Sequence, residues 1–324
     1  MKVIYLCPGM LLREGAVYEG CDVQKEIARI ASGYEVVVGD GTNVTEEMQN
    51  DIEIIMGTPN VALLKKLPAL RWVQLSIAGS DRYCNRELYA CENVVLTNSS
   101  GVFGQPISEY IIGMFLALSR GFHLYRDEMA AGTWSKRHLS TDFAGSTVAV
   151  IGMGDIGGSV AKKAHALGAH VLAIKNTITE KPEYVDELYS ADMLDDVISR
   201  SDFISLSLPN TKNTQHFIAK KHFELMKKNA VIVNVGRGTA IDQDALAEAL
   251  ANEKIFAAGL DVTTPEPLPK DHPLWKEKRC LITAHNSGAS HGNTERILDI
   301  FTDNLKKYID GETLKNIVDM ENGY

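Results

Sequence analysis

The chain has 324 residues, 45% apolar and 23% charged, the proportions of an ordinary globular protein with room for two domains. A net charge of −9 gives no broad positive field for non-specific nucleic-acid binding. The 5 cysteines lack CxxC spacing, which argues against a disulfide scaffold and a zinc ribbon, and 26 glycines with 10 prolines rule out collagen-like and low-complexity classes.

The N-terminus, MKVIYLCPG, reads as a first strand ending at Pro8-Gly9 and not as a signal peptide. The longest apolar run, residues 111–118, is too short to cross a bilayer, so a cytoplasmic protein is expected. Short apolar runs at 3–6, 35–38, 52–56 and 72–75, with an amphipathic stretch at 23–30, give an α/β pattern. Residues 106–130 read as one long helix opened by Pro106. From Thr147 the alternation becomes regular, with six apolar strands expected at 148–151, 171–174, 203–208, 231–235, 256–260 and 281–283. Helices at 158–167 and 242–251, the second capped by Asp242, fall between them. This is the pattern of a doubly wound parallel Rossmann sheet. A final amphipathic helix, 293–310, carries Ile297, Ile300, Phe301, Leu305 and Ile309, and is expected to pack back on the first domain. The expected division is therefore a discontinuous substrate domain, 1–98 plus 290–324, and a dinucleotide-binding domain, 99–289, with a cleft between them.

The strongest local signal is TVAVIGMGDIGGSV, in which a strand runs through Gly152, Gly154 and Gly157 straight into a helix. The first glycine makes the tight turn, the second admits a pyrophosphate, and the third allows close helix packing. The helix N-terminus adds donors and a positive dipole, so Gly152, Gly154, Asp155, Ile156 and Gly157 are candidate cofactor contacts. An NAD site carries an acid at the end of the second strand, about 20 residues on. Here the position eighteen beyond Gly157 is Lys175, and no acid precedes Glu180. A lysine cannot accept from a ribose hydroxyl but can pair with a 2′-phosphate, with Asn176 and Thr177 as further donors, which favours NADP over NAD. A solvent-facing lysine at a strand end is the plainer alternative.

GMGDIG, the run NVGRG at 234–238, DVTTPEP at 261–267 and TAHNSG at 283–288 occur in that order. Together they resemble the D-isomer-specific 2-hydroxyacid dehydrogenase family, which includes glyoxylate/hydroxypyruvate reductases and D-lactate and phosphoglycerate dehydrogenases. The resemblance covers nearly the whole chain and implies a Rossmann domain beside a flavodoxin-like α/β domain. It also implies reversible, NAD(P)H-dependent reduction of a 2-oxo acid to a D-2-hydroxy acid.

That chemistry needs a cation for the substrate carboxylate and an acid for the developing alkoxide. Arg237 follows an apolar strand, so it emerges at the carboxyl edge of the sheet, and its planar fork can engage a carboxylate bidentately. The resemblance assigns it substrate binding; a structural ion pair is the alternative. The flanking Gly236 and Gly238 suggest close approach to a ligand. His285 ends the last strand and would be the acid in reduction and the base in oxidation. A lone histidine is more often structural, but the resemblance supplies Glu266 as its partner, and a neighbouring carboxylate favours the charged, proton-donating imidazolium. Glu266 sits between Pro265 and Pro267, and would otherwise be a plain loop acid.

By resemblance, Asp261 would accept from the nicotinamide carboxamide; a helix- or loop-capping aspartate is the alternative. Pro209 and Thr214 would line the adenine side, with Pro209 equally a strand terminator. Ser76, Ala78 and Gly79 would grip the substrate carboxylate through backbone N–H groups, unless they form only a tight turn. Met56, Gly57 and Ile77 would set substrate size. His123, His138, His165, His216, His222 and His291 have no metal-ligand spacing and read as surface residues, as does Glu109 on the long helix. Trp134 and Trp275 are open to a substrate or interface role. A homodimer through the long helix is implied by resemblance alone. Only about fourteen residues follow Asp310, so no regulatory domain is expected there, which weakens a feedback-regulated phosphoglycerate dehydrogenase. The rivals are a cofactor-gated sensor of the same fold, and a dehydrogenase for a non-carboxylate substrate such as phosphonate or formate; formate oxidation needs no proton transfer to an alkoxide, so a histidine–glutamate pair would be surplus there.

Overall fold

The computed structural model describes residues 2–7, 17–18, 21–40, 42, 44–136, 141–178, 180–321 and 323; Pro8-Gly9 and His138 lie outside them. The chain divides into two compact units, Met1–Phe103 with Ser290–Tyr324, and Gly104–Ala289.

In the first unit the four apolar runs form β1 (Lys2–Cys7), β2 (Tyr34–Val38), β3 (Ile52–Gly57) and β4 (Trp72–Leu75), and Val95–Thr97 adds β5, a strand not expected from the sequence. They pair in parallel in the order β2-β1-β3-β4-β5, which is the flavodoxin order. Alternation along β1 feeds two layers: Val3, Tyr5 and Cys7 enter one apolar cluster, Ile4 and Leu6 the other. The second cluster is completed by the helix Val23–Ile30, begun where the Asp22 carboxylate accepts from Lys25 N, and by the closing helix Asn293–Asp310. That helix buries Ile297, Leu298, Phe301 and Leu305, each worth about 1.5–3 kcal/mol against exposure. Ile309, expected on the same stripe, is 44% exposed, and Leu298 takes an inward place instead. Polar bonds fix the docking: Gln74 Oε1 accepts from Thr97 Oγ1 at 2.8 Å and from Asn304 Nδ2 at 3.0 Å, all three residues being buried.

The second unit opens with a helix at Gly104–Ser119, followed by a separate one at Phe122–Ala130. The single helix expected over 106–130 is therefore broken. Gly121 adopts φ +66°, and its N–H returns to the Leu118 carbonyl at 3.1 Å, the left-handed glycine stop of a helix C-terminus. Phe115, Phe143 and Phe203 pack with rings tilted to one another and centroids 5.0–6.2 Å apart, and hold the helix Gly104–Ser119 on the sheet.

The sheet strands are β6 (Thr147–Ile151), β7 (His170–Ile174), β8 (Glu187–Tyr189), β9 (Phe203–Leu206), β10 (Val231–Asn234), β11 (Ala257–Leu260) and β12 (Cys280–Ile282). All pair in parallel in the order β8-β7-β6-β9-β10-β11-β12, the Rossmann order with one strand added. The expectation of six strands missed β8. It is a half-buried edge strand of sequence ELY, with no apolar run to announce it. The helix after β10 begins as expected at Asp242, whose carboxylate accepts from Ala245 N at 3.0 Å. No helix among the described residues is long and apolar enough to cross a membrane.

Candidate active site

Parallel pairing places six strand ends in one row, Ile174, Ile151, Leu206, Asn234, Leu260 and Ile282. Every candidate cofactor or catalytic residue of this unit follows one of them: Lys175 after β7, the glycine turn after β6, Pro209 after β9, Arg237 after β10, Asp261 and Glu266 after β11, and His285 after β12. The strand order reverses between β6 and β9, and the carboxyl edge at such a switch point is where open α/β sheets bind ligands.

The glycine turn fits a dinucleotide pyrophosphate. Gly152 has φ +96°, and a Cβ there would lie 2.9 Å from the Ser207 carbonyl oxygen. A Cβ on Gly157 would lie 1.8 Å from the Gly152 oxygen, so the helix Asp155–Ala166 can pack this closely only with glycine. Gly154 differs: a Cβ there would meet nothing within 4 Å, leaving the turn open where a phosphate would approach. No side chain caps the helix N-terminus. The Asp155 carboxylate instead accepts from Gly104 N at 2.9 Å, tying the start of the helix Gly104–Ser119 to the turn. Lys175 is half-buried at the tip of β7, its N–H bonded to the Tyr189 carbonyl, and Asn176 beside it is exposed. The Thr214 hydroxyl donates to the Pro209 carbonyl at 2.6 Å and accepts from Thr211 N, so these two residues close one loop.

His285 Nδ1 and Glu266 Oε2 are 2.9 Å apart, and both side chains are partly exposed. The other Glu266 oxygen accepts from Thr263 N at 3.2 Å, which anchors the carboxylate to its own loop. With Nδ1–H donated to Glu266, the ring presents Nε2 as its remaining functional nitrogen. Arg237 follows Asn234, a buried residue whose amide accepts from Gly236 N at 3.0 Å and donates to the Arg237 carbonyl at 2.9 Å. The glycines flanking Arg237 make room for the chain itself. A Cβ on Gly236 would lie 2.6 Å from the Leu208 oxygen, and one on Gly238 would lie 2.0 Å from the Thr263 oxygen.

Asp261 is 1% exposed, and its carboxylate is occupied by the loop that carries His285. It accepts from Thr283 Oγ1 at 2.5 Å and from the N–H groups of Asn286 and Ser287 at 2.9 Å each. Burial alone would push this carboxyl up, but the hydrogen bonds from Ser287, Thr283 and Asn286 outweigh it and hold the group below its ordinary value. Tyr110, from the helix Gly104–Ser119, reaches Thr283 Oγ1 at 2.6 Å. Sequence reasoning passed over Tyr110 and Thr283, because nothing along the chain links positions 110 and 283.

Ser76, Ala78 and Gly79 lie in the first unit, in the loop after β4, where Asn98 Nδ2 holds the Ala78 carbonyl at 3.0 Å. His222, expected at the surface, is buried; its Nδ1 accepts from Ala219 N at 2.8 Å and so serves as a local cap. Trp275 is 51% exposed, with Nε1 bonded to the Pro269 carbonyl.

Residues 112–287 match the family model for the D-isomer specific 2-hydroxyacid dehydrogenase, NAD binding domain. The chain belongs to the D-isomer-specific 2-hydroxyacid dehydrogenase family. It is 31% identical over 313 residues to D-3-phosphoglycerate dehydrogenase of Methanocaldococcus jannaschii, covering 95% of this chain and 56% of that protein. It is 32% identical over 267 residues to glyoxylate/hydroxypyruvate reductase B of Citrobacter koseri, covering 81% and 82%. Among solved structures, a D-isomer specific 2-hydroxyacid dehydrogenase family protein from Aeromonas salmonicida superposes with a TM-score of 0.82 at 29% identity, covering 98% of this chain and 99% of that one. Membership in this family makes the protein an oxidoreductase that acts on CH–OH groups with a nicotinamide cofactor.

Proposed function

We propose that this dehydrogenase reduces a small 2-oxo acid to its D-2-hydroxy acid, reversibly, with NADPH favoured over NADH. The observation that carries the reading is the 2.9 Å His285–Glu266 pair, set on the same sheet edge as Arg237 and the open turn at Gly154. The nicotinamide supplies the hydride when bound. His285 Nε2 gives its proton to the carbonyl oxygen as that oxygen becomes an alkoxide, and recovers it in oxidation. Glu266 takes no proton; it holds Nδ1–H, and thereby fixes which nitrogen faces substrate. Arg237 binds the substrate carboxylate and polarises the adjoining carbonyl. The Ser76–Ala78–Gly79 loop is a second candidate grip for the carboxylate. Residues 152, 154–157, 175–176, 209, 214 and 261 are the candidate cofactor contacts, with Lys175 pairing the 2′-phosphate.

The substrate is glyoxylate, hydroxypyruvate or a larger aliphatic 2-oxo acid, and the resemblance to the Citrobacter reductase supports the first two. The assembly is a homodimer. Phe122, Met129 and Trp134, 61%, 69% and 96% exposed, provide apolar surface on and just beyond the helix Phe122–Ala130 for such a contact. Initial rates of NADPH and NADH oxidation against glyoxylate, hydroxypyruvate, pyruvate, 2-oxoisocaproate and 3-phosphohydroxypyruvate test the reading. Turnover faster with NADPH supports it. Tight cofactor binding with no turnover of any acid would favour the sensing role instead.

A further inference from the structure

His285 is held in a backbone conformation that histidine seldom adopts. Its φ is +49°, in the left-handed region where a Cβ is crowded. Something must therefore hold the loop, and one residue supplies most of what does. The Asp261 carbonyl accepts from His285 N at 2.8 Å, while its two carboxylate oxygens take the next two N–H groups, of Asn286 and Ser287. The chain thus folds around the Asp261 carboxylate, with His285 at the bend.

The carboxylate is itself oriented. Thr283 has a single hydroxyl proton, and its 2.5 Å contact to the Asp261 carboxylate requires that proton. Its oxygen is then an acceptor, so the 2.6 Å contact with Tyr110 has the tyrosine as donor. Burial pushes the Tyr110 phenol up to about 12, which keeps it a donor throughout the neutral range. A directed chain results: Tyr110 O–H to Thr283, Thr283 O–H to Asp261, and Asp261 receiving the loop amides beside His285. The protein donates to this carboxylate from the Thr283 and Ser287 side chains and from the Asn286 and Ser287 N–H groups, all on the segment that carries His285.

We infer that Tyr110, Thr283 and Asp261 are positioning residues that aim the His285 ring through the loop that carries it. This rests on the reading of His285 as the proton donor. Thr283→Val removes the hydroxyl and keeps the shape, Thr283→Ser keeps the hydroxyl, and Tyr110→Phe removes only the terminal donor.

Two readouts apply to each variant: kcat and KM for the best 2-oxo acid, and the 15N signal of His285 in histidine-labelled protein, assigned by its loss in His285→Gln. Misaiming by a fraction of an ångström predicts a fall in kcat of about tenfold or more for Thr283→Val and Tyr110→Phe, with a cofactor Kd within about twofold of wild type. Their His285 signals shift or broaden, whereas Thr283→Ser restores both rate and signal. If all three variants only lower Tm, with kcat and the His285 signal unchanged, the inference is wrong. An Asp261→Asn variant that weakens cofactor binding without moving that signal would overturn it too. Should Thr283→Val not fold, Tyr110→Phe carries the same comparison. If the wild type reduces no 2-oxo acid, the functional reading fails, and the nitrogen signals still decide whether the hydroxyl chain holds the ring.

Discussion

Two single-methyl substitutions in the glycine turn separate a ligand site from a packing requirement. At Gly154 the backbone is extended, with φ −85° and ψ −155°, and a Cβ would meet nothing within 4 Å. Gly154→Ala should therefore leave stability within about 0.5 kcal/mol of wild type, a Tm change of roughly 1–2 °C. The added methyl would instead occupy the space of the incoming phosphate. Displacing one or two hydrogen bonds from helix N–H groups to a charged oxygen removes about 2–4 kcal/mol, or roughly 30- to 1,000-fold in affinity. At Gly157 the prospective Cβ is 1.8 Å from the Gly152 carbonyl oxygen, so the turn itself must move. Overpacking of that kind costs about 1–3 kcal/mol or more, and a fall of several degrees in Tm. Scanning fluorimetry and NADPH fluorescence titration of both variants give the comparison. Gly154→Ala protein that binds the cofactor as tightly as wild type would refute the assignment of the turn to the pyrophosphate.

Removing the imidazole in His285→Ala should lower reduction about 10²–10⁴-fold in kcat with the NADPH Kd nearly unchanged, as stopped-flow and fluorescence titration would show. Lys175→Asp should move the ratio of kcat/KM values toward NADH; a constant ratio would leave Lys175 without a part in cofactor choice. Burial, with Lys221 nearby, holds the His222 imidazole below its ordinary value. The unfolded chain then binds more protons below about pH 6.5, so stability is lost as the pH falls through that value. His222→Asn, which keeps an acceptor for Ala219 N, should flatten the dependence of Tm on pH below about 6.5, and an unchanged slope would contradict this.

The elements that sequence reasoning placed correctly are those whose period is set by burial on both faces. Strands such as 148–151 and 171–174 are continuous apolar runs because helices cover both sides of a parallel sheet. The edge strand Glu187–Tyr189 has no such constraint, and its residues are half-buried, so composition does not reveal it. The break at Gly121 was visible as a glycine within a helical stretch, but the apolar residues on either side suggested continuity. At the site, His285 and Glu266 came from motif order, and the structure brings the two side chains together. Gly236 and Gly238 were read as room for a ligand. In the structure they admit the Leu208 and Thr263 backbones, a close approach of chain to chain that no spacing expresses. The Tyr110–Thr283–Asp261 chain joins a helix to two strand ends, and only the folded sheet makes those three positions neighbours.

The most direct measurement is the fate of the hydride. NADPH deuterated at the transferring C4 position is incubated with the best 2-oxo acid of the panel, and the product is resolved on a chiral column and read by mass spectrometry. A D-2-hydroxy acid carrying one deuterium at C2, formed in equal amount to the NADP⁺ and at least about a hundredfold more slowly with His285→Ala, is the expected result. Cofactor oxidation without deuterium at C2, or transfer at the wild-type rate without the His285 imidazole, would contradict the assignment of this sheet edge as the site of 2-oxo acid reduction.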